Sequence, residues 1–515
     1  MAKLSLRPLA VASLMAVAVS TVALVAGEPA LAGGLSTVDG AASGLRVEVS
    51  SSEAWGRGRL ILFVRPAEAA TPNSVDGNAF EPGDLQVVAR DVSFAQPRTI
   101  VLDDSADAWP SAPGALSPGE YVVQAVLDRN MDYAYAGRGA GDVISQVARI
   151  RVNPEAGSTL SLQLSSVVPD LAPWHGPWGP VASGDELAAV QSRTDVLSVR
   201  SELLSGFWGR PVHLNGLVVT PLDYDQTDDR LPVVYFTHGF GGGMPSLQDT
   251  AAGLVRQMKA GVLPRLIWVL LDQSCPMGTH EFADSLNNGP WGTALTQELV
   301  PFVDARYRTQ SRRGARFVMG HSSGGWAALW LQLEYPEVFG GAWATSPDYA
   351  DFTDFGGVDL TAANARMANT DFARLEAVLG AYGGQTTSFE AVWSPRGTNG
   401  LPLPLFDRDT GKVDVEVAAW WRTNWDLTEK VRREWSQNAT RLDGAIHVVV
   451  GENDEFALDE SARDLERAIA GVSGKASFRY LAGKGHFDLY AQGDERAALR
   501  RVMAWEMADH ALRTP

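Results

Sequence analysis

Cysteine is nearly absent: Cys275 is the only one in 515 residues. No disulfide can form within the chain, and a thiolate metal cluster is excluded. Cys275 itself precedes Pro276 in a loop-like stretch with nothing around it to activate a thiolate nucleophile. Basic charge is also scarce. Lys and Arg number 43 against 61 Asp and Glu, a formal net charge of −18, which is the wrong sign for nucleic acid or an anionic membrane surface. After the first thirty or so residues, no stretch approaches the ~20 apolar residues that span a bilayer. Stability must therefore come from burial of apolar surface, which a chain with 45% hydrophobic and 20% charged residues can supply.

Residues 1–32 are the exception to that apolar scarcity. Lys3 and Arg7 precede an apolar run from Leu9 to Val25, and Ala30-Leu31-Ala32 offers a small-x-small cleavage site. This predicts a secretory signal peptide cut after Ala32, with small residues arguing against an uncleaved anchor. The expected location is secreted or periplasmic, with no stable membrane insertion after cleavage.

The length implies two or three domains. Residues 33–168 hold short β-prone runs separated by Gly, Pro, Asn and Asp, the texture of an all-β, Ig-like sandwich. Residues 169–211, with Pro173-Trp174-His175-Gly176-Pro177-Trp178-Gly179-Pro180, read as a connector. From 212 to 515 strands and helices alternate, the pattern of an α/β domain with a mainly parallel sheet and helices on both faces. Residues 347–441 break that rhythm and predict a cap-like insertion. Its Trp420, Trp421 and Trp425 are read as core rather than as a ligand platform.

Within the α/β part, Gly320-His321-Ser322-Ser323-Gly324 fits G-x-S-x-G between an apolar strand and a small-residue helix start. Glycines flank a serine on a sharp strand-to-helix turn because side chains there would hold strand and helix apart. Ser322 is the candidate nucleophile, and it needs a base with an orienting carboxylate. Of eight histidines, His486 in Gly483-Lys484-Gly485-His486-Phe487 follows the last strand and is the expected base. His447 reads as core, His510 as exposed, His175 as a loop residue, and His213 and His280 have no special setting. His321 is too tightly placed in the elbow to reach back to Ser322. Asp454, after Val448-Val449-Val450-Gly451, is the expected acid, with Glu452, Glu455 and Asp459 as alternatives. For the oxyanion, the backbone N–H of Ser323 and one from His238-Gly239-Phe240-Gly241-Gly242 are expected, Phe240 first and Gly241 as the alternative. Asn288 and Trp291 are pocket candidates, although Asn287-Asn288-Gly289-Pro290 equally suits a plain turn before a helix.

These motifs, together with Gln297-Glu298-Leu299-Val300-Pro301-Phe302-Val303-Asp304-Ala305-Arg306-Tyr307-Arg308 ahead of the elbow, resemble the esterase family that includes enterochelin esterases, S-formylglutathione hydrolases, feruloyl esterases and secreted mycolyltransferases. The resemblance covers residues 212–512. It implies an α/β-hydrolase fold and Ser-His-acid chemistry on carboxylic esters, free of metal or cofactor, with a small-molecule or polymer-borne ester as substrate. An acyltransferase or peptidase using the same triad is the alternative within that chemistry. A non-catalytic binding protein on a hydrolase scaffold is the other, and its signature, a missing triad member, is not found.

Overall fold

Val233–Thr237, Ile267–Leu271 and Gly341–Thr345 are five-residue runs in which every residue is buried. Only strands covered on both faces need apolar side chains at both parities, which is why these read as nearly continuous apolar runs, two of them ending in threonine. A computed structural model of the chain describes residues 44–514, apart from 69–74, 76–81, 130–138, 154, 177–178, 369, 381–382 and 494. The expected signal peptide, and Trp178 of the connector, lie outside the described residues.

Eight strands make the central sheet: β1 (Thr194–Ser201), β2 (Val212–Val219), β3 (Val233–Thr237), β4 (Ile267–Leu271), β5 (Arg316–His321), β6 (Gly341–Thr345), β7 (Ile446–Gly451) and β8 (Ser477–Leu481). Their order is β1-β2-β4-β3-β5-β6-β7-β8. β2 runs antiparallel to both β1 and β4, and from β4 to β8 every pairing is parallel. This is an α/β-hydrolase-like sheet. β1 lies inside the span expected as connector. Its Thr-Asp-Val-Leu-Ser-Val-Arg-Ser pairs on one side only, with two of eight residues buried, so its apolar signal is faint. The connector is docked as well: Trp174 is buried against the sheet's apolar layer.

Helices cover both faces. α1 (Met244–Lys259) packs Leu247, Leu254 and Val255 with Trp268 and Phe317 on one side. α2 (Ser323–Glu334) covers the other side. The insertion supplies α3 (Asp371–Leu379), α4 (Gln385–Trp393), α5 (Val415–Trp425) and α6 (Leu427–Leu442), and α7 (Leu458–Gly471) and α8 (Ala498–Arg513) complete the layers. Trp393, Trp421 and Trp425 of the insertion join Trp326 and Trp330 of α2, with ring centroids 5.2 Å apart for Trp326–Trp393 and 4.9 Å for Trp330–Trp425. Trp421 and Trp425 are thus core, whereas Trp420 is 37% exposed. His510, expected on the surface of the last helix, instead turns inward. Its ring meets Phe317 at 5.6 Å and Trp343 at 6.0 Å, and burial holds its pKa below the ordinary value. His447 stacks on Trp343 at 4.2 Å.

The N-terminal strands, from Leu45–Ser51 to Ser158–Val167, form one nine-stranded sheet, antiparallel except where those two strands pair in parallel. Strand Gly56–Pro66 is buried on both sides. Leu60, Leu62 and Val64 enter the core of this unit, while Ile61 and Phe63 face Leu375, Val378 and Leu379 of α3. Arg59 pins the contact, donating from Nε to Val378 O at 2.8 Å while pairing with Asp91 at 2.7 Å and Asp107 at 2.9 Å. Leu375, fully buried in this seam, is the test of it. Leu375→Ala should cost about 3 kcal/mol of unfolding free energy, read as a lowered urea midpoint.

Candidate active site

Ser322 closes β5 with φ +57° and ψ −126°, a conformation that side chains avoid, and α2 begins at the next residue. Two glycines permit it. A Cβ on Gly320 would collide with Gly324 O, and one on Gly324 would collide with Thr237 O and stand 2.6 Å from His238 O. Elbow, helix start and β3 thus meet at backbone distance. The loop after β3 lies against the serine: a Cβ on Gly239 would be 3.1 Å from both His321 O and Ser322 Cβ. That puts Gly239, the residue before Phe240 in the candidate oxyanion loop, beside the candidate nucleophile. His238 holds the loop from behind, its ring 2.7 Å from Gly239 O, 3.1 Å from Asp272 Oδ1 and 3.0 Å from Gln273 N.

His486 and Asp454 come together as a buried pair, Nδ1 to Oδ2 at 2.9 Å. Asp454 Oδ1 also accepts from Phe456 N at 3.0 Å. Burial pushes the Asp454 carboxyl up, but the His486 hydrogen bond and charge outweigh it and hold the group below its usual range. Among the alternative acids, Glu455 does a different task, accepting the His486 backbone N–H at 2.6 Å. Glu452 is exposed, and Asp459 stands 3.8 Å from Arg463 within α7. Phe456 and Phe487 meet the His486 ring edge-on at 4.9 Å and 5.1 Å. His321 packs on it at 4.5 Å, with Nδ1 3.1 Å from Thr345 Oγ1. Burial, then the neighbouring His486, push His321 down to about 3, so it is a neutral buttress at working pH.

Sequence reasoning missed Asp348. Ser322 Oγ donates to Asp348 Oδ1 at 3.3 Å, and Ser323 Oγ donates to Asp348 Oδ2 at 2.7 Å. No motif surrounds Asp348. The available signal was its place just past the end of β6, where an α/β sheet presents its functional side chains. Asn288 and Trp291 are brought together, but with each other rather than with the elbow. Trp291 Nε1 and Trp208 Nε1 both donate to Asn288 O, at 2.9 Å and 3.1 Å, and Trp291 stacks on His280 at 3.6 Å. Both are buried. Burial pushes the Cys275 thiol up to about 12, leaving it protonated. Among the described residues, no group of three or more His, Cys, Asp or Glu is set to hold a metal ion, and no helix is long and apolar enough to cross a membrane.

Residues 211–509 match the family model named Esterase. The chain belongs to this esterase family. The site just described lies wholly within the matched span. Two proteins of Mycobacterium tuberculosis, Esterase Rv1288 and Esterase MT1326, are each 29% identical to this family member over 141 residues, 27% of this chain. The match spans 30% of the length of each. Among solved structures, a ferulic acid esterase is 16% identical, covering 62% of this chain and 99% of that one with a TM-score of 0.41. An S-formylglutathione hydrolase from Agrobacterium tumefaciens is likewise 16% identical over 62% of this chain and 95% of that one, with a TM-score of 0.38.

The backbone crowding at the elbow sets an expectation for this esterase. Gly324→Ala should destabilise the fold by about 2 kcal/mol and abolish labelling of Ser322 by a fluorophosphonate, read by thermal melting and by gel fluorescence.

Proposed function

We propose that this chain is an exported serine esterase that hydrolyses carboxylic esters through Ser322, His486 and Asp454. The observation that carries the reading is the buried His486–Asp454 pair set against the elbow, the His486 ring lying 4.5 Å from that of His321, the residue before Ser322. Ser322 closes β5, the Asp454 loop follows β7, and His486 follows β8. Family membership gives the reaction class, and the placement of the pair beside the elbow supports these roles for the three residues.

In this reading Ser322 Oγ attacks the ester carbonyl as its proton passes to His486 Nε2. Asp454 fixes the imidazole through Nδ1 and stabilises the imidazolium. The carbonyl oxygen takes the electron pair and is met by the N–H groups of Ser323 and Phe240. Collapse expels the alcohol, which takes the proton from His486, and leaves an acyl-enzyme. Water then repeats the sequence with His486 as base, releasing the acid. The substrate is a small-molecule or polymer-borne ester. The N-terminal sheet serves as an Ig-like, sandwich-type support, and residues 1–32 as the export signal.

On a p-nitrophenyl acyl ester, Ser322→Ala should lower kcat by about a millionfold, and turnover at the wild-type rate would refute the assignment. Asp454→Asn should lower kcat by about ten-thousandfold with the melting curve still cooperative.

A further inference from the structure

The elbow touches a carboxyl group that the triad leaves unused. Asp348 follows β6 as Asp454 follows β7, so adjacent strands each deliver a buried acid to the same place. Asp348 takes both elbow hydroxyls, Ser322 Oγ at 3.3 Å and Ser323 Oγ at 2.7 Å, and its own N–H donates to Ser322 O at 3.3 Å. Two contacts therefore tie it to the residue that reacts, and a third to the residue after it.

Its charge state follows from what stands behind it. Glu281 is fully buried; its Oε1 accepts from Thr279 Oγ1 at 3.1 Å, and its Oε2 has no hydrogen-bond partner among the described residues. Burial, reinforced by the negative Asp348, pushes Glu281 well above the carboxylate range. Burial also raises Asp348, but only to about 6, because the Ser323 hydroxyl, the His486 charge and the Ser322 hydroxyl oppose it. Of the two carboxyls, burial and mutual repulsion favour the proton on Glu281 and the charge on Asp348, which has the hydroxyl donors.

The other titratable groups around the site have tasks of their own. Asp454 is committed to His486 Nδ1, Glu455 to the His486 backbone, and His321 is neutral. Tyr349 donates to Phe456 O at 3.3 Å, with burial raising its phenol. Lys484 and Asp488 pair at 3.2 Å in the His486 loop.

Resting on the reading of Ser322 as nucleophile and His486 as base, we propose that Asp348 is a second acid of the site, whose charge stabilises the imidazolium formed when Ser322 attacks. In the step, the Ser322 Oγ–H bond breaks and the proton goes to His486 Nε2. The Oγ–carbon bond forms, and the carbonyl pair moves to oxygen. Asp348 neither gains nor loses a proton. It accepts the Ser322 hydroxyl at rest, releases it to His486 when substrate arrives, and then faces the new positive charge. Asp454 and Asp348 thus flank one imidazolium from two strand ends.

The test compares Asp348→Asn with wild type across about pH 5–9, using kcat/KM on a p-nitrophenyl ester and fluorophosphonate labelling of Ser322 in parallel. Asparagine keeps the shape and one of the two acceptor oxygens, replaces the other with an NH2 donor, and removes the charge. The wild-type to variant ratio should approach one below about 6, where Asp348 is itself protonated, and rise to about tenfold at higher pH. A purely structural role gives a ratio that does not change with pH, and that result overturns the proposal. Ser323→Ala gives a second handle in case Asp348→Asn does not fold. It keeps the backbone N–H and removes a hydroxyl that favours the ionised Asp348. Its deficit should therefore be largest just above pH 6 and shrink toward higher pH, and a flat deficit again overturns the proposal. Labelled wild type with flat ratios defeats the second acid alone, whereas unlabelled wild type defeats the nucleophile reading and this proposal with it.

Discussion

The backbone at Ser322 holds a conformation that it would not keep alone, and the rest of the catalytic domain is arranged around that fact. A non-glycine residue at φ +57° costs on the order of 1 kcal/mol or more and persists only where its surroundings over-determine it. Here β3, β5, β6 and the first turn of α2 converge so closely that Gly320 and Gly324 have no room for a methyl group. The convergence holds Ser322 just past the end of β5 and brings Gly239 of the loop after β3 alongside it. The shape of the elbow is thus a by-product of packing that the sheet and its apolar helices maintain.

Around that point the protein buries acid in quantity, although its surface is already strongly negative. Asp454, Asp348 and Glu281 are each less than a tenth exposed. Burial disfavours the charged form of all three, and they differ in what opposes it. Asp454 has a histidine and a backbone N–H, Asp348 has two hydroxyls, and Glu281 has one threonine hydroxyl. The graded supply of donors orders three similar groups: Asp454 is held below its usual range, Asp348 is raised moderately, and Glu281 is raised furthest.

Much of this was legible in the sequence, and the failures have physical reasons. The elbow, the His486 loop and the Asp454 loop announced themselves because glycine-punctuated apolar strands are a strong local signal. β3, β4 and β6 were readable because they are almost wholly apolar, with only a terminal threonine in β3 and in β6. β1 was not, since an edge strand paired on one side has no need to be apolar throughout. His510 was misread because the amphipathic pattern of a terminal helix does not reveal which neighbours its half-buried flank meets. Asp348 and Glu281 were invisible as a pair. They lie 67 positions apart and are joined only by the fold, with no spacing rule linking the exit of β6 to the segment after β4.

The insertion between β6 and β7 has two neighbours at once. Through Trp393, Trp421 and Trp425 it packs on the elbow helix, and through α3 it fills the outer face of the N-terminal sheet. A catalytic domain cut free of residues 44–167 would expose Leu375, Val378 and Leu379 side by side on one helix, a sticky stripe prone to self-association. The N-terminal unit accordingly shields apolar surface that the α/β part leaves open at the insertion.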